Sequence, residues 1–347
     1  MSSTVGYAAQ DSSSPLALFH FDRRELRPND VEIDILYCGV CHSDLHQARN
    51  DWKSSSYPLV PGHEIVGRVT AVGSAVTAHA VGDPVAVGCL VDSCGECDQC
   101  ATGEEQLCRR GGTPTYNGKD RHTGDPTFGG YSKRIVVRDS FALKVANNVD
   151  LSTVAPLLCA GITTYSPLKQ WNVGSGTRVA VAGLGGLGHM AVKLAVALGA
   201  EVTVLTTSTS KAADAHALGA HNVIVTSDSV ARRAAADSFD VIIDTIPVPH
   251  ALAPYLSLLD IDGALVLVGV IDELPPIHSA QLLRGRKRIT ASGIGGLRET
   301  QELLDLCADR GITPECEIIP IQEINAAYER MERGDVRYRF VIDMASL

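Results

Sequence analysis

"TRVAVAGLGGLGHMAVKLAVALGAEVTVLTTS", residues 177–208, decides the fold. A β-type apolar run leads straight into glycines at 183, 185 and 188, then into a helix-length segment with apolar positions at Met190, Leu194 and Leu198, then into a second β-type run, "EVTVL". The glycines fit G-x-G-x-x-G where that pattern has a mechanical meaning, between a strand and a helix. Gly183 permits the tight turn, Gly185 lets backbone approach a pyrophosphate, and Gly188 lets helix and strand pack closely. Leu184, Gly186 and Leu187 complete the turn, and the helix N-terminus faces the phosphates. The competing reading is a tight turn without a ligand.

Working outward, buried-strand runs recur at "NVIVTS", "FDVIIDTI", "GALVLVGV" and "RITASGI", with helix-length segments mostly between them. Six such strands predict a doubly wound parallel sheet, a Rossmann domain over 151–309. Upstream, "VEIDILYCGV", "EIVGRVTAVGS", "DPVAVGCLV" and "YSKRIVVR" are strand-sized and separated by Gly, Pro and Asp, as in a β-rich, barrel-like domain. The tail from about 310 returns to mixed helix and strand. It is expected to pack on that first lobe, giving a discontinuous domain of 1–150 and 310–347. The fold class is therefore α/β, in two domains, as 347 residues suggest.

Hydrophobic residues make up 45%, enough for two cores, and the net charge is −10. Acidic balance disfavours nucleic acid and anionic membranes as partners. No apolar run approaches the roughly 20 residues that span a bilayer, and the N-terminus lacks the pattern of a secretory signal. A cytoplasmic setting is expected, where disulfides are disfavoured. Ten cysteines then call for another explanation.

Cys94, Cys97, Cys100 and Cys108 are spaced C-x2-C-x2-C-x7-C. Four thiolates on one loop close a tetrahedral sphere with no vacancy, the description of a structural zinc. Iron–sulfur clusters use different spacings. A second site must be assembled from distant parts: Cys41, then His63 and Glu64 in "VPGHEIVG", then Cys159 in "PLLCAGITTYSPL". Two thiolates and an imidazole hold zinc and leave a fourth position open, as catalysis requires. Singly, each of these residues reads as core filler rather than as a ligand, and the case rests on their combination. Cys38, Cys89, Cys307 and Cys316 have no such partners and read as structural.

The strand "EVTVL" should end beside an adenosine ribose. An NAD enzyme usually places Asp or Glu there, about 20 residues past the first glycine. This chain has "TTSTSK", with Thr206, Thr207, Ser208 and Lys211. Hydroxyls and a lysine suit a 2′-phosphate, so NADP(H) is expected. A polar loop that reads nothing is the alternative.

"GVCHSDLH", "PLVPGHEIVGRVTAVG", the four-cysteine lobe, "TFGGYS", "LLCAGITTYSPL" and "AGLGGLGHMAVKLA" occur in the order seen in zinc-dependent medium-chain alcohol dehydrogenases. The resemblance spans essentially the whole chain. "TYNGKDRHTGDPTFGGYS", "VDSCGECDQC" and "DTIPVPHALAPYLSLL" look most like the cinnamyl alcohol dehydrogenases and the bacterial NADPH-dependent aldehyde reductases.

The resemblance implies a GroES-like catalytic domain and two zinc ions per chain. It makes Cys41, His63 and Cys159 the catalytic ligands, with Glu64 an alternative or transient one. It places Ser43 beside the substrate oxygen to pass a proton, and His46 to take that proton through the ribose and release it to solvent. A solvated surface histidine is the rival reading of His46. Asp44 is expected to orient His63, and His42 to lie near the pyrophosphate. Further cofactor contacts are implied at Thr163, Thr245, Gly269, Ser292, Gly293 and Ile294. The active site should lie in the cleft between the lobes, with Trp52, Tyr57 and Tyr116 near the substrate. A homodimer is expected, with "GALVLVGV" pairing across the dimer edge.

The implied reaction is hydride transfer between NADP(H) and a primary alcohol/aldehyde pair, running toward aldehyde reduction. An NAD-dependent polyol or secondary-alcohol dehydrogenase of the same superfamily is the alternative. A zinc-free quinone reductase would not need these ligands. A binding module built on the four-cysteine lobe would not need the glycine turn.

Overall fold

The computed structural model describes residues 2–270 and 273–347. The chain divides into two compact units, Met1–Cys159 with Gly296–Leu347, and Ala160–Gly295.

The first unit is built on the strand Asp30–Val40, long enough to pair with three others. Its first half pairs antiparallel with Arg134–Arg138 and its last residues with Arg339–Asp343, while Ile65–Val72 runs along its length. Pro84–Val87, Leu143–Lys144 and Cys316–Pro320 complete a seven-stranded sheet. Its inward side chains, among them Ile33, Ile65, Val85, Tyr131, Ile135 and Phe340, form one core. The tail strands Cys316–Pro320 and Arg339–Asp343 thus belong to this unit's sheet.

The helix Leu297–Arg310 also belongs to the first unit, so that unit resumes at 296 rather than 310, and it runs to 159 rather than 150. The reason is local. The Leu297 N–H donates to Glu105 Oε2 at 2.9 Å, and Gln301 exchanges two hydrogen bonds with the Lys144 backbone.

The second unit holds a six-stranded, all-parallel sheet. Its strands lie in the order Asn222–Val225, Glu201–Thr206, Arg178–Ala182, Phe239–Asp244, Leu259–Leu267 and Arg288–Ala291. Counted along the chain this is 3-2-1-4-5-6, the dinucleotide-binding arrangement. Met190 and Leu194 of the helix Gly188–Ala197 are fully buried. The strand Leu259–Leu267 is paired on both sides. "GALVLVGV" therefore has no free edge for a dimer partner, and the edge strands are Asn222–Val225 and Arg288–Ala291. Among the described residues, no helix is long and apolar enough to cross a membrane.

Candidate active site

Where the strand Asp30–Val40 ends, Cys41 becomes the N-cap of the helix His42–Ala48. The Cys41 N–H donates to Asp44 Oδ2 at 2.9 Å, which fixes the turn and the direction of the thiol. His63 and Glu64 lie just before the paired strand Ile65–Val72, and Cys159 follows the tight turn Ala155–Leu158. Ligand atoms of Cys41, His63, Glu64 and Cys159 all lie within 4.8 Å of one another, and all four residues are buried. The two sulfurs are 3.8 Å apart. Thiolates about 2.3 Å from a tetrahedral zinc would be separated by about the same distance, so the donor set fits zinc.

Asp44 organises this centre. Its carboxylate, wholly buried, accepts from Cys41 N–H, from Gly62 N–H at 3.0 Å, from His63 Nδ1 at 3.1 Å and from the Tyr131 hydroxyl at 3.2 Å. With Nδ1 engaged, His63 keeps Nε2 for a metal. Burial pulls the His63 imidazole down, but Asp44, Cys89 and Cys41 together outweigh it and hold the group well above its ordinary range. The Cys41–Cys159 hydrogen bond pulls the Cys41 thiol down and pushes Cys159 up.

Three participants were not legible in the sequence. Arg339, brought by the tail strand, pairs with Glu64 Oε1 while both side chains are buried. Burial pushes the Glu64 carboxyl up to about 7 despite that pair. Glu64 Oε2 has no hydrogen-bond partner, an orphaned buried acceptor beside the two thiols and the imidazole. Cys89, read as packing, stands within hydrogen-bond reach of Cys159. Asp51 accepts from His46 Nδ1 at 2.8 Å and orients that ring.

Ser43 and His46 lie one turn apart on the helix His42–Ala48 and are half-buried, while His42 is exposed. The Trp52 ring is 5.4 Å from His46, and the buried Tyr116 ring is 5.7 Å from His63. The Tyr57 hydroxyl donates to Ala48 O at 2.9 Å.

The four-cysteine lobe is likewise preformed. Ligand atoms of Cys94, Cys97, Cys100 and Cys108 converge within 4.8 Å. Backbone N–H groups point at the sulfurs: Arg109 to Cys97 at 3.4 Å and Cys94 to Cys108 at 3.5 Å. Such bonds, from Cys100 and Arg109, bring the Cys97 thiol down to about 6. Cys97 is thus poised as a thiolate, the form a zinc ligand must take, while burial pushes the Cys100 thiol up to about 11.

In the second unit the expected cofactor residues fall on one edge. The 183–188 turn follows Arg178–Ala182, and 207–211 follows Glu201–Thr206. Thr245, Gly269 and 292–294 follow the next three strands. All therefore lie at the carboxyl ends of parallel strands, where such sheets bind ligands. Gly183 has φ +89°, and a Cβ on Gly188 would overlap the Gly183 carbonyl. A Cβ on Gly185 would meet nothing within 4 Å, so open space lies above the turn, as a pyrophosphate requires.

Lys211 Nζ donates to Leu184 O at 3.2 Å, bringing its charge back over the turn. Thr206 is buried and its hydroxyl bonds the Ser208 backbone, so the outward groups of this loop include Thr207, Ser208 and Lys211 but not Thr206. Ile294 has φ +48°, a left-handed backbone for a β-branched residue. Such strain costs on the order of 1–3 kcal/mol and collects at functional sites. Thr163 is buried in the helix Ala160–Gln170.

Comparison with known proteins is consistent across the chain. Residues 27–147 match the model of an alcohol dehydrogenase GroES-like domain, and residues 186–309 that of a zinc-binding dehydrogenase. NADP-dependent alcohol dehydrogenase C 1 of Mycolicibacterium smegmatis is 51% identical over 348 residues, covering 100% of this chain and 99% of the relative. Aldehyde reductase YahK of Escherichia coli is 50% identical over 343 residues, 98% of this chain and 97% of the relative. The crystal structure of the cinnamyl alcohol dehydrogenase (CAD) of Helicobacter pylori, complexed with NADP(H), superposes with a TM-score of 0.93 at 41% identity, covering 99% of this chain and 98% of that one.

Proposed function

The chain belongs to the zinc-dependent alcohol dehydrogenase family, and on that premise we propose that it works as an NADPH-consuming aldehyde reductase with two zinc sites of unequal role. It is an NADP(H)-dependent enzyme that interconverts alcohols and aldehydes. The observation that carries the site assignment is the convergence of Cys41, His63, Glu64 and Cys159 on one point, apart from the four-cysteine lobe.

Cys41, His63 and Cys159 would hold the catalytic zinc, with Glu64 in reserve. Cys94, Cys97, Cys100 and Cys108 would hold the structural one. Bound there, zinc supplies Lewis acidity toward the substrate oxygen, and NADPH supplies the hydride.

The chain's own residues do the rest. Asp44 fixes the His63 ring, and its bond to the Cys41 backbone fixes the thiol. Ser43 passes a proton to or from the substrate oxygen. His46, held by Asp51, exchanges that proton with solvent. Tyr116 and Trp52 supply aromatic surface for the substrate carbon skeleton.

Thr207, Ser208 and Lys211 favour the 2′-phosphate of NADP(H), because no carboxylate stands among them to repel it. The free edge strand Arg288–Ala291 and the exposed Ile261 and Leu283 support assembly as a homodimer. A cytoplasmic setting suits ten free cysteines.

A panel of aliphatic and aromatic aldehydes assayed with NADPH and with NADH tests the whole reading. Higher kcat/KM with NADPH on at least one aldehyde is expected. Reduction with NADH alone would overturn the cofactor assignment, and no aldehyde turnover would overturn the direction.

A further inference from the structure

Trp52 and Tyr116, the two rings read as substrate surface, stand on separate stretches of chain. Tyr116 is fastened on both sides through the backbone. Thr115 N–H donates to Cys89 O at 3.1 Å, and Asn117 N–H donates to Thr127 O at 3.2 Å. Trp52 sits instead in the loop 49–57 that follows the helix His42–Ala48. Two residues beside it, Asn50 and Lys53, have left-handed φ of +59° and +56°. A loop with that backbone keeps its shape only where its surroundings hold it.

The Asn117 side chain supplies a hold. Its Nδ2 donates to Gln47 Oε1 at 2.9 Å and to Ser54 O at 3.1 Å, and its Oδ1 accepts from Ser56 N–H at 2.9 Å. Gln47 belongs to the helix that carries Ser43 and His46, while Ser54 and Ser56 follow Trp52 in its loop. One amide, next in sequence to Tyr116, therefore joins that helix and that loop. The Ser55 hydroxyl lies 2.6 Å from Gln47 O and 2.8 Å from Gln47 Oε1, closing the loop onto the same residue. At the loop's other end Arg49 pairs with Glu332, but both side chains are exposed, and such pairs contribute little.

The partners explain the residue type. An N–H faces one side of the amide and a carbonyl faces the other, so the side chain must carry an acceptor and a donor at once. A carboxylate of the same shape has no donor for Ser54 O. The backbone adds a second requirement: φ is +55° at Asn117, a left-handed conformation that asparagine adopts more readily than most residues.

We infer that Asn117 is a positioning residue for substrate choice, holding Trp52 in a fixed place relative to Tyr116. An aldehyde that carries a ring gains from both aromatic surfaces and loses one of them when the Trp52 loop drifts. A short aliphatic aldehyde has too little surface to use both. The proton path is independent of this tie, because Asp51 N–H bonds His46 O at 2.9 Å and so stays with the helix. The inference rests on the reading of this site as an aldehyde reductase centre.

The test compares benzaldehyde with propanal at saturating NADPH, in the wild-type enzyme, Asn117→Gly and Asn117→Asp. Glycine leaves the left-handed backbone unstrained and removes the amide. Aspartate keeps the shape and the bond from Ser56 but sets an oxygen against Ser54 O. If about a tenth of molecules keep Trp52 in place without the amide, the KM for benzaldehyde rises about tenfold. Its kcat, and both constants for propanal, should stay near wild type. Equal losses with the two aldehydes would make Asn117 a plain structural residue and overturn the inference, as would unchanged kinetics in both variants.

Trp52 also reports its own position. Trp171→Phe leaves it the only tryptophan in the chain. In that background Asn117→Gly should raise the quenching of Trp52 fluorescence by acrylamide while circular dichroism stays the same. Unchanged quenching would refute the tie, and Asn117→Asp carries the same measurements should the glycine variant fail to fold. Wild-type enzyme that reduces neither aldehyde would refute the reductase reading itself, while the quenching would still decide whether Asn117 holds the loop.

Discussion

His63 Nδ1 lies 3.1 Å from Asp44 Oδ1, and the same carboxylate accepts the backbone N–H of Cys41, another member of the cluster. Two prospective metal ligands from separate segments are thus aimed by one side chain. Asp44→Asn keeps the volume but replaces one acceptor oxygen with an NH2 group. Four donors converge on this residue, so at least one of them would then face another donor. The expected result is a folded protein that loses zinc from one of its two sites. Second partners of this kind typically contribute about 10–100-fold in metal affinity or activity. Zinc content with circular dichroism checks it; full zinc and full activity in the variant would remove Asp44 from the site's construction.

The two metal groups should answer differently to loss of a ligand. Cys159→Ser is expected to abolish turnover while leaving the chain folded, because the sheet and core of the first unit hold that site's other residues in place. Cys100→Ser should lower the melting temperature or the solubility, since a closed four-thiolate site contributes its binding free energy to folding. Metal analysis of the purified wild-type protein should give two zinc ions per chain, one for each cluster. A stoichiometry of one or none would refute the pairing of roles.

Sequence legibility follows the range of the interactions. The glycine turn, the six parallel strands and the four-cysteine lobe are local patterns, and each can be read from a few tens of contiguous residues. Cys41, His63 and Cys159 become a group only once the fold brings them together, and it was resemblance to a family that assigned them as ligands. Arg339 had no signal at all. It reaches Glu64 because Phe340 pairs antiparallel with Val40 in the sheet, which puts the residue before it, Arg339, at the level of Cys41. Cys89 was invisible for the same reason. The dimer edge was misread because a run as apolar as "GALVLVGV" suits an interior strand better than a free one, and strand order is not written in hydrophobicity.

Proton transfer gives a third expectation. Ser43→Ala should lower kcat steeply, by about 10²–10⁴, the usual range for a lost acid–base step. His46→Gln should cost less, since water reaches this half-exposed position. Steady-state kinetics with saturating NADPH measure both. Turnover of Ser43→Ala close to wild type would take the hydroxyl out of the proton path.

Cofactor choice gives the last. Lys211 leans back to Leu184 O at 3.2 Å, so its ammonium stands between the 206–211 loop and the glycine turn. A 2′-phosphate carries up to two negative charges and would meet that ammonium together with the outward hydroxyls of Thr207 and Ser208. Charge-assisted hydrogen bonds contribute about 1.5–3 kcal/mol each, so Lys211→Ala should raise the KM for NADPH by about 10–100-fold at 1.4 kcal/mol per tenfold. NADH lacks the phosphate and should be affected little, because only the neutral contact to Leu184 O is lost. Thr206→Asp should act in the same direction, placing a carboxylate at the strand end. Thr206 is buried and bonded to Ser208, so that variant should also lose stability. Parallel KM measurements with the two nucleotides separate these effects. An equal rise for NADPH and NADH in Lys211→Ala would show that the lysine shapes the loop and does not read the phosphate.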